Sequence, residues 1–495
     1  MIRLLSLLLI PSILVLGATF AEPTSVSPEK LAKTYCSSCH LYVAPSAFAR
    51  SHWEQAIFPR MALFMGVYPN DSIRSVFAGT STVFPVQPLL SKENFEKIRA
   101  FYLKKAPITI KLPTNQKVQD TLVGFKVHIP EGRIVPPGIS MARFGAHKTI
   151  YLGDVYAKKL FMLHSDDLSF QKNGSIAEGI VDIAPSGDDV LLTVMGSFSP
   201  TEAASGALLR LNTQKGQIEV LQDSLQRPTQ TTVGDLDGDG DEDKVVCEFG
   251  KYTGQLSWLE QKPDGLHRHT ILSRPGAITA QLSDIDSDGD LDITTLFGQA
   301  DEGIWRFIND GHGHFEAKNL LRFGPQYGSS HFQYCDFNKD GRQDIIYTCG
   351  DNADFTPVLK PWHGVYIFLN DGKEQFSPYY FYPMYGAYKA EVADFDLDGD
   401  LDIAAIAFFP DFSEKRTRSF VLLLNEGKKK MQPYTFPDVG LGRWMVMDSG
   451  DPDGDGDIDL LLGAMTFEVP GKPDLVAAWK KAGIPFIYLE NTAKK

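Results

Sequence analysis

One acidic loop of nine residues occurs five times in the chain, and it limits the fold more than any other feature. The copies read Asp235-Leu-Asp237-Gly-Asp239-Gly240-Asp241-Glu-Asp243, Asp284-Ile-Asp286-Ser-Asp288-Gly289-Asp290-Leu-Asp292, Asp336-Phe-Asn338-Lys-Asp340-Gly341-Arg-Gln-Asp344, Asp394-Phe-Asp396-Leu-Asp398-Gly399-Asp400-Leu-Asp402 and Asp451-Pro-Asp453-Gly-Asp455-Gly456-Asp457-Ile-Asp459. Their first residues lie 49, 52, 58 and 57 positions apart. A period of about fifty residues marks a repeat architecture in which each copy is one supersecondary unit. Side-chain oxygens at positions 1, 3, 5 and 9 converge on one hard cation, with glycine at position 6 for the sharp turn, and position 7 adds its carbonyl. The expected ion is calcium, up to five per chain. No glutamate follows at position 12 and β-forming residues flank each loop, so these are not EF-hands. A lone acidic turn needs no metal, but five in register do.

An alternating run precedes each loop and an apolar run follows it, such as Ile345-Ile346-Tyr347 or Ile403-Ala404-Ala405-Ile406. That is a β-hairpin with the metal loop as its turn. A second hairpin signal recurs at Asn309-Asp310-Gly311, Asn370-Asp371-Gly372 and Asn425-Glu426-Gly427. Two hairpins per period make four strands, the unit of a propeller blade. The pattern resembles the FG-GAP or VCBS repeat family of propellers, and the resemblance implies that the strand before each calcium loop is innermost. Two further blades fit ahead of the first loop, starting at Ile139 and near Ile180, so seven are expected. The last period ends after three strands. Leu122–Ile129, which resembles the fourth-strand segment Gly265–Ile271, is expected to supply its fourth and remove an open sheet edge.

The N-terminal part has a different character. Cys36-Ser37-Ser38-Cys39-His40 is C-x-x-C-H, the attachment signature of a c-type haem. Two thiols at this spacing on a helical turn bond the two vinyl groups of one porphyrin, and the next residue offers its imidazole to the iron. Neither a βαβ context nor a second nearby Cys/His pair supports a thioredoxin-like or zinc reading. Helices are expected over Pro28–Tyr35, around Ser51–Ile57 and from a Ser91 cap to Lys105, stopped by Pro107. Residues 26–107 thereby resemble small single-haem cytochromes c. In that class the distal ligand is a methionine near a proline in an irregular loop, which implies Met61, with Met65 next and His52 third. A His40/Met61 pair suits electron transfer.

Met1–Ala21 reads as a secretory signal: Arg3, an apolar run over Leu4–Leu16 and a small-x-small exit. The expected location is the periplasm or cell-surface side of a bacterium, with no transmembrane segment after cleavage. The expected organisation is multidomain: signal peptide 1–21, a small all-α cytochrome c domain 22–107, a linker with closing strand 108–137, and an all-β seven-bladed propeller 138–495. The net charge of −14 is uneven. Residues 22–107 carry ten Lys and Arg against six Asp and Glu, whereas residues 108–495 carry −19, which argues against nucleic-acid binding. Cys247, Cys335 and Cys349 are scattered and read as buried small residues.

Two polar columns alternate along the inner strands. Thr232, Gln281, Gln333, Glu391 and Asp448, with Arg143 and Asp182, form one; Gln230, Thr279, His331 and Lys389 form the other. They line a central channel. The cations there either hold an anionic ligand or pair internally, Arg143 with Asp182 and Lys389 with Glu391. Three roles fit the sequence. The favoured one is an electron carrier whose propeller docks a redox partner protein or binds a small-molecule or carbohydrate ligand. The alternatives are an oxidoreductase with its substrate at the propeller mouth, and a polymer-binding or adhesive propeller. No catalytic residue is assigned.

Overall fold

The computed structural model describes residues 26–114, 116–176, 179–352, 358–373, 375–414 and 418–493. The signal peptide expected over 1–21 lies outside the described residues. Among them, no helix is long and apolar enough to cross a membrane.

Seven four-stranded antiparallel sheets are arranged as the blades of a propeller. The inner strands are Ile139–Gly145, Ile180–Ser186, Pro228–Gly234, Ala277–Ser283, Ser329–Cys335, Ala387–Ala393 and Trp444–Gly450, numbered here as blades 1 to 7. The second strand of each blade with an acidic loop is buried along its whole length, as in Asp292–Phe297 and Asp402–Ala407. Both faces pack against neighbouring blades, so these strands read as continuous apolar runs rather than alternating ones.

Blades 1 and 2 lack the acidic loop but share a finer mark with the other five. Every inner strand carries a bulge one residue after its start, at 140, 181, 229, 278, 330, 388 and 445. A bulge sharpens the local twist and re-aims a side chain. In three blades it aims a hydroxyl at the next blade: Ser140 Oγ donates to Ile180 O (2.6 Å), Thr229 Oγ1 to Ile278 O (2.8 Å) and Ser330 Oγ to Ala387 O (3.1 Å).

Ring closure follows the sequence expectation. Phe125–His128 pairs with Phe486–Asn491 as the outer strand of blade 7, with Lys126 opposite Glu490 and their side chains 3.1 Å apart. The preceding segment also touches blade 6, where Gln119 bridges to Tyr434. The helix Pro473–Ala482, inserted between two strands of blade 7, has no counterpart in the sequence reading.

Residues 26–107 form a unit whose regular elements are all helices. Pro28–Cys36 begins at Ser27, whose Oγ accepts the Lys30 amide hydrogen bond, and Lys92–Lys105 begins at Ser91, whose Oγ accepts that of Asn94. The middle helix is longer than expected, running through Arg50–His52 and Trp53–Ile57 into Phe58–Phe64. Asp71–Phe77 adds a short helix capped by Asn70. Leu31, Phe48, Trp53, Phe58, Phe95, Ile98 and Tyr102 form the core of this unit.

Candidate cofactor and metal sites

The Cys36–His40 turn begins where the first helix ends, at the C-cap Ser37. Both thiols are free; Cys39 is exposed, and Cys36 is partly covered, with burial pushing its thiol up to about 11. His40 Nδ1 lies 2.7 Å from the Leu41 carbonyl oxygen. With Nδ1–H donated there, Nε2 is the nitrogen left with a lone pair, the tautomer a metal-ligating histidine uses. Burial also lowers the pKa of His40, which keeps the imidazole neutral.

Met61 lies inside the helix Phe58–Phe64 and not in an irregular loop, because the helix continues through Pro59 at its first turn, where proline is tolerated. Met61 packs at the margin of the helical core together with Cys36, while Met65, at the helix C-cap, is buried in it. His52 sits instead against Phe48, with ring centroids 5.1 Å apart, and its Nε2 is buried without a partner.

The acidic loops share one internal geometry. The position-1 carboxylate accepts the amide of the position-6 glycine in all five, at 2.8 to 3.2 Å. The position-5 carboxylate accepts the amide of position 7. Oxygens of Asp235, Asp237 and Asp239 come within 4.8 Å of one another, as do those of Asp284, Asp286 and Asp288, of Asp451, Asp453 and Asp455, and of Asp394, Asp396 and Asp402. Asp336, Asn338 and Asp340 occupy the same turn in blade 5, where Asn338 Nδ2 donates to Asp340. Asp237 Oδ1 and Asp394 Oδ1 are buried without a hydrogen-bond donor, as a cation ligand would be.

Position 9 is built differently. Asp243, Asp292, Asp344, Asp402 and Asp459 are buried, and each accepts the amide of a residue at the end of the third strand of its blade: Gln261, Asn309, Asn370, Asn425 and Asn491. Asn309 Nδ2 in turn donates to Leu236 O of the preceding blade, and Asn491 Nδ2 to Phe395 O. These carboxylates therefore tie loop, blade and neighbour together.

In the channel, the cations are paired. Arg143 reaches Asp448 at 2.9 Å and Asp182 at 3.2 Å, bridging blades 7, 1 and 2. Lys389 is 2.7 Å from Glu391 and donates to Met447 O. Burial pushes His331 down to about 3, so it is neutral. Arg143 and Lys389 thus stitch the ring, His331 is neutral, and the trio does not offer free charge to an anion. Arg143→Ala leaves two buried carboxylates without their cation, and a loss of about 3–5 kcal/mol is expected, read by chemical denaturation.

One buried acid escaped sequence reasoning. Glu302, 2 % exposed, accepts from Ser329 N (2.9 Å) and Ser329 Oγ (2.6 Å). Burial raises it from 4.5 to about 7, against the opposing pull of those donors and Lys360. A carboxyl whose folded pKa is raised takes up a proton on folding. Stability therefore falls as pH rises from about 4.5 to 7, by roughly 3 kcal/mol, and levels off above that. In Glu302→Gln this part of the slope is expected to vanish when unfolding is compared at pH 5 and pH 8.

The fold and the repeated loops define a seven-bladed β-propeller containing an FG-GAP-like repeat. A family model described as FG-GAP-like repeat matches residues 284–347, which begin at one acidic loop and run through the next. Comparison with curated proteins finds no match. Among solved structures, the chain is similar to a streptogramin B lyase (13 % identity, TM-score 0.45, 74 % of this chain and 98 % of that one). It is also similar to a 6-phosphogluconolactonase-like protein of Bacteroides fragilis (10 %, 0.41, 59 % and 82 %) and to the dihydro-heme d1 dehydrogenase NirN (12 %, 0.38, 88 % and 85 %).

Proposed function

We propose that the protein is an exported c-type cytochrome that transfers electrons through one covalent haem, carried by residues 22–107 and joined to a calcium-stabilised propeller that docks a redox partner or ligand. The observation that carries this reading is the Cys36–His40 turn: two free thiols three residues apart, followed by an imidazole whose Nδ1 is committed to the Leu41 carbonyl. Such a group supplies a one-electron couple when bound. Cys36 and Cys39 would hold it covalently, His40 would ligate its iron, and Met61, or Met65 in its place, would close the sixth position. Trp53, Phe58 and Tyr102 keep water from the same interior, which favours electron exchange over chemistry at the metal.

Calcium would sit in the five acidic loops, held by the carboxylates at positions 1, 3 and 5, with position 9 alongside. The orphaned oxygens of Asp237 and Asp394 support this. Expression in a bacterial host with c-type maturation tests the first half of the reading: one haem per chain that resists acidic acetone is expected, and an extractable haem or none overturns it. Replacing each methionine in turn by histidine separates the distal candidates, since the ligand's replacement lowers the reduction potential.

A further inference from the structure

The helical unit rests on the propeller at the end opposite the acidic loops. Strands alternate in direction, so the connections at 249–254 and 298–302 emerge at that end, as do residues 350–352 and 358–363. Two aromatic contacts fix the seat. Tyr252 of blade 3 packs on Phe84 and Phe64, with centroids at 5.0 and 6.3 Å, and Trp362 of blade 5 packs on Phe48 at 5.6 Å. Blade 4 lies between them, and its end carries a compact charge cluster. Arg322 Nε donates to Asp301 Oδ1 at 2.6 Å. The Arg274 guanidinium stacks over Trp305 at 4.4 Å, and its Nη1 lies 3.9 Å from Asp301 Oδ2.

This cluster has one unmet demand. Arg274 Nη1 is buried and has no hydrogen-bond acceptor. A guanidinium nitrogen shielded from water costs free energy unless an acceptor is supplied. The cluster is net positive, two arginines to one aspartate, within a propeller segment of net charge −19. Asp301 and Arg322 are also the two charged side chains whose fields act on His40.

We propose that Arg274, in the connection from blade 3 to blade 4, and Arg322 of blade 4 receive the carboxylate edge of the haem held at Cys36, Cys39 and His40, so that the propeller helps to set the reduction potential. The inference rests on the haem reading above. A porphyrin of this kind carries two carboxylates, and planar guanidinium groups match them in geometry. Reduction adds one electron and lowers the charge at the iron by one. Neighbouring cations stabilise that state, and Asp301 opposes them.

The test uses the full-length haem-loaded protein and spectroelectrochemical titration, with haem content read by the pyridine haemochrome spectrum. Arg274→Gln/Arg322→Gln is expected to retain covalent haem and to shift the midpoint potential downward. Asp301→Asn is expected to shift it upward, and Arg274→Lys/Arg322→Lys to restore most of the wild-type value. If the glutamine variant carries haem at the wild-type potential and only melts earlier, the cluster merely clamps the helical unit and the inference falls while the haem reading stands. If the wild-type protein acquires no covalent haem, both fall together.

Discussion

Treatment with EDTA is expected to lower the melting temperature of the propeller sharply while leaving the helical unit's transition in place. Extracellular calcium modules bind at about 10⁻⁴ to 10⁻³ M. At about 1 mM free calcium, each site then contributes about 0.4–1.4 kcal/mol by mass action, and five together on the order of 5 kcal/mol. Without the ion, three or four carboxyl groups crowd each turn, and burial and mutual repulsion push Asp402 and Asp459 up to about 7. The loops also hold position-9 carboxylates that reach the next strand and, through Asn309 and Asn491, the neighbouring blade. Loss of the ion should thus loosen blade-to-blade contacts and not only the turns. Differential scanning calorimetry with and without chelator, together with elemental analysis, checks this. An unchanged transition with no calcium in the protein rejects the metal assignment.

The second large effect concerns the thiols. Cys36→Ala/Cys39→Ala is expected to abolish covalent haem altogether, so that acidic acetone removes whatever pigment remains. Cys247→Ala and Cys349→Ala, by contrast, leave haem content unchanged, because both residues are buried in the propeller. His40→Ala should retain the thioether bonds but lose the low-spin spectrum. Retention of covalent haem in the double variant would remove the basis of the cytochrome reading.

The parts of the fold that were legible in the sequence share a physical cause. The acidic loops were readable because a turn that gathers carboxylates must repeat its residue types at fixed spacing. The closing strand was readable because blade 7 stopped one strand short and Leu122–Ile129 had the matching pattern. The bulges at 140, 181 and 229 were not readable: Ser, Val and Thr all occupy that position, and the bulge is set by strand twist rather than by residue type. The helical setting of Met61, in place of the expected irregular loop, has a related reason. Proline usually marks a break, but Pro59 falls within the first turn of its helix segment and costs no hydrogen bond there. The Arg274–Asp301–Arg322 cluster joins residues from separate connections, and no local pattern announces such a meeting. The register of the inner strands places the channel cations and allows Arg143 to pair with Asp182; its second partner, Asp448, comes from the far end of the chain.

The strand that closes the ring has a consequence for how the chain is made. Lys126 and Glu490 are 364 residues apart in sequence yet face each other in blade 7. Bringing such distant segments together costs on the order of 5 kcal/mol of chain entropy beyond a constant, so this pairing should be the last to form. As the chain emerges from its N-terminus, the helical unit and its cysteines precede the strand Phe486–Asn491 that completes the ring by several hundred residues. Any modification of Cys36 and Cys39 then has a window during which the helical unit is not yet seated on the propeller through Tyr252 and Trp362. Closure afterwards would act as a latch, tying the fully assembled propeller to a unit already finished, and an unfinished ring would leave that unit undocked.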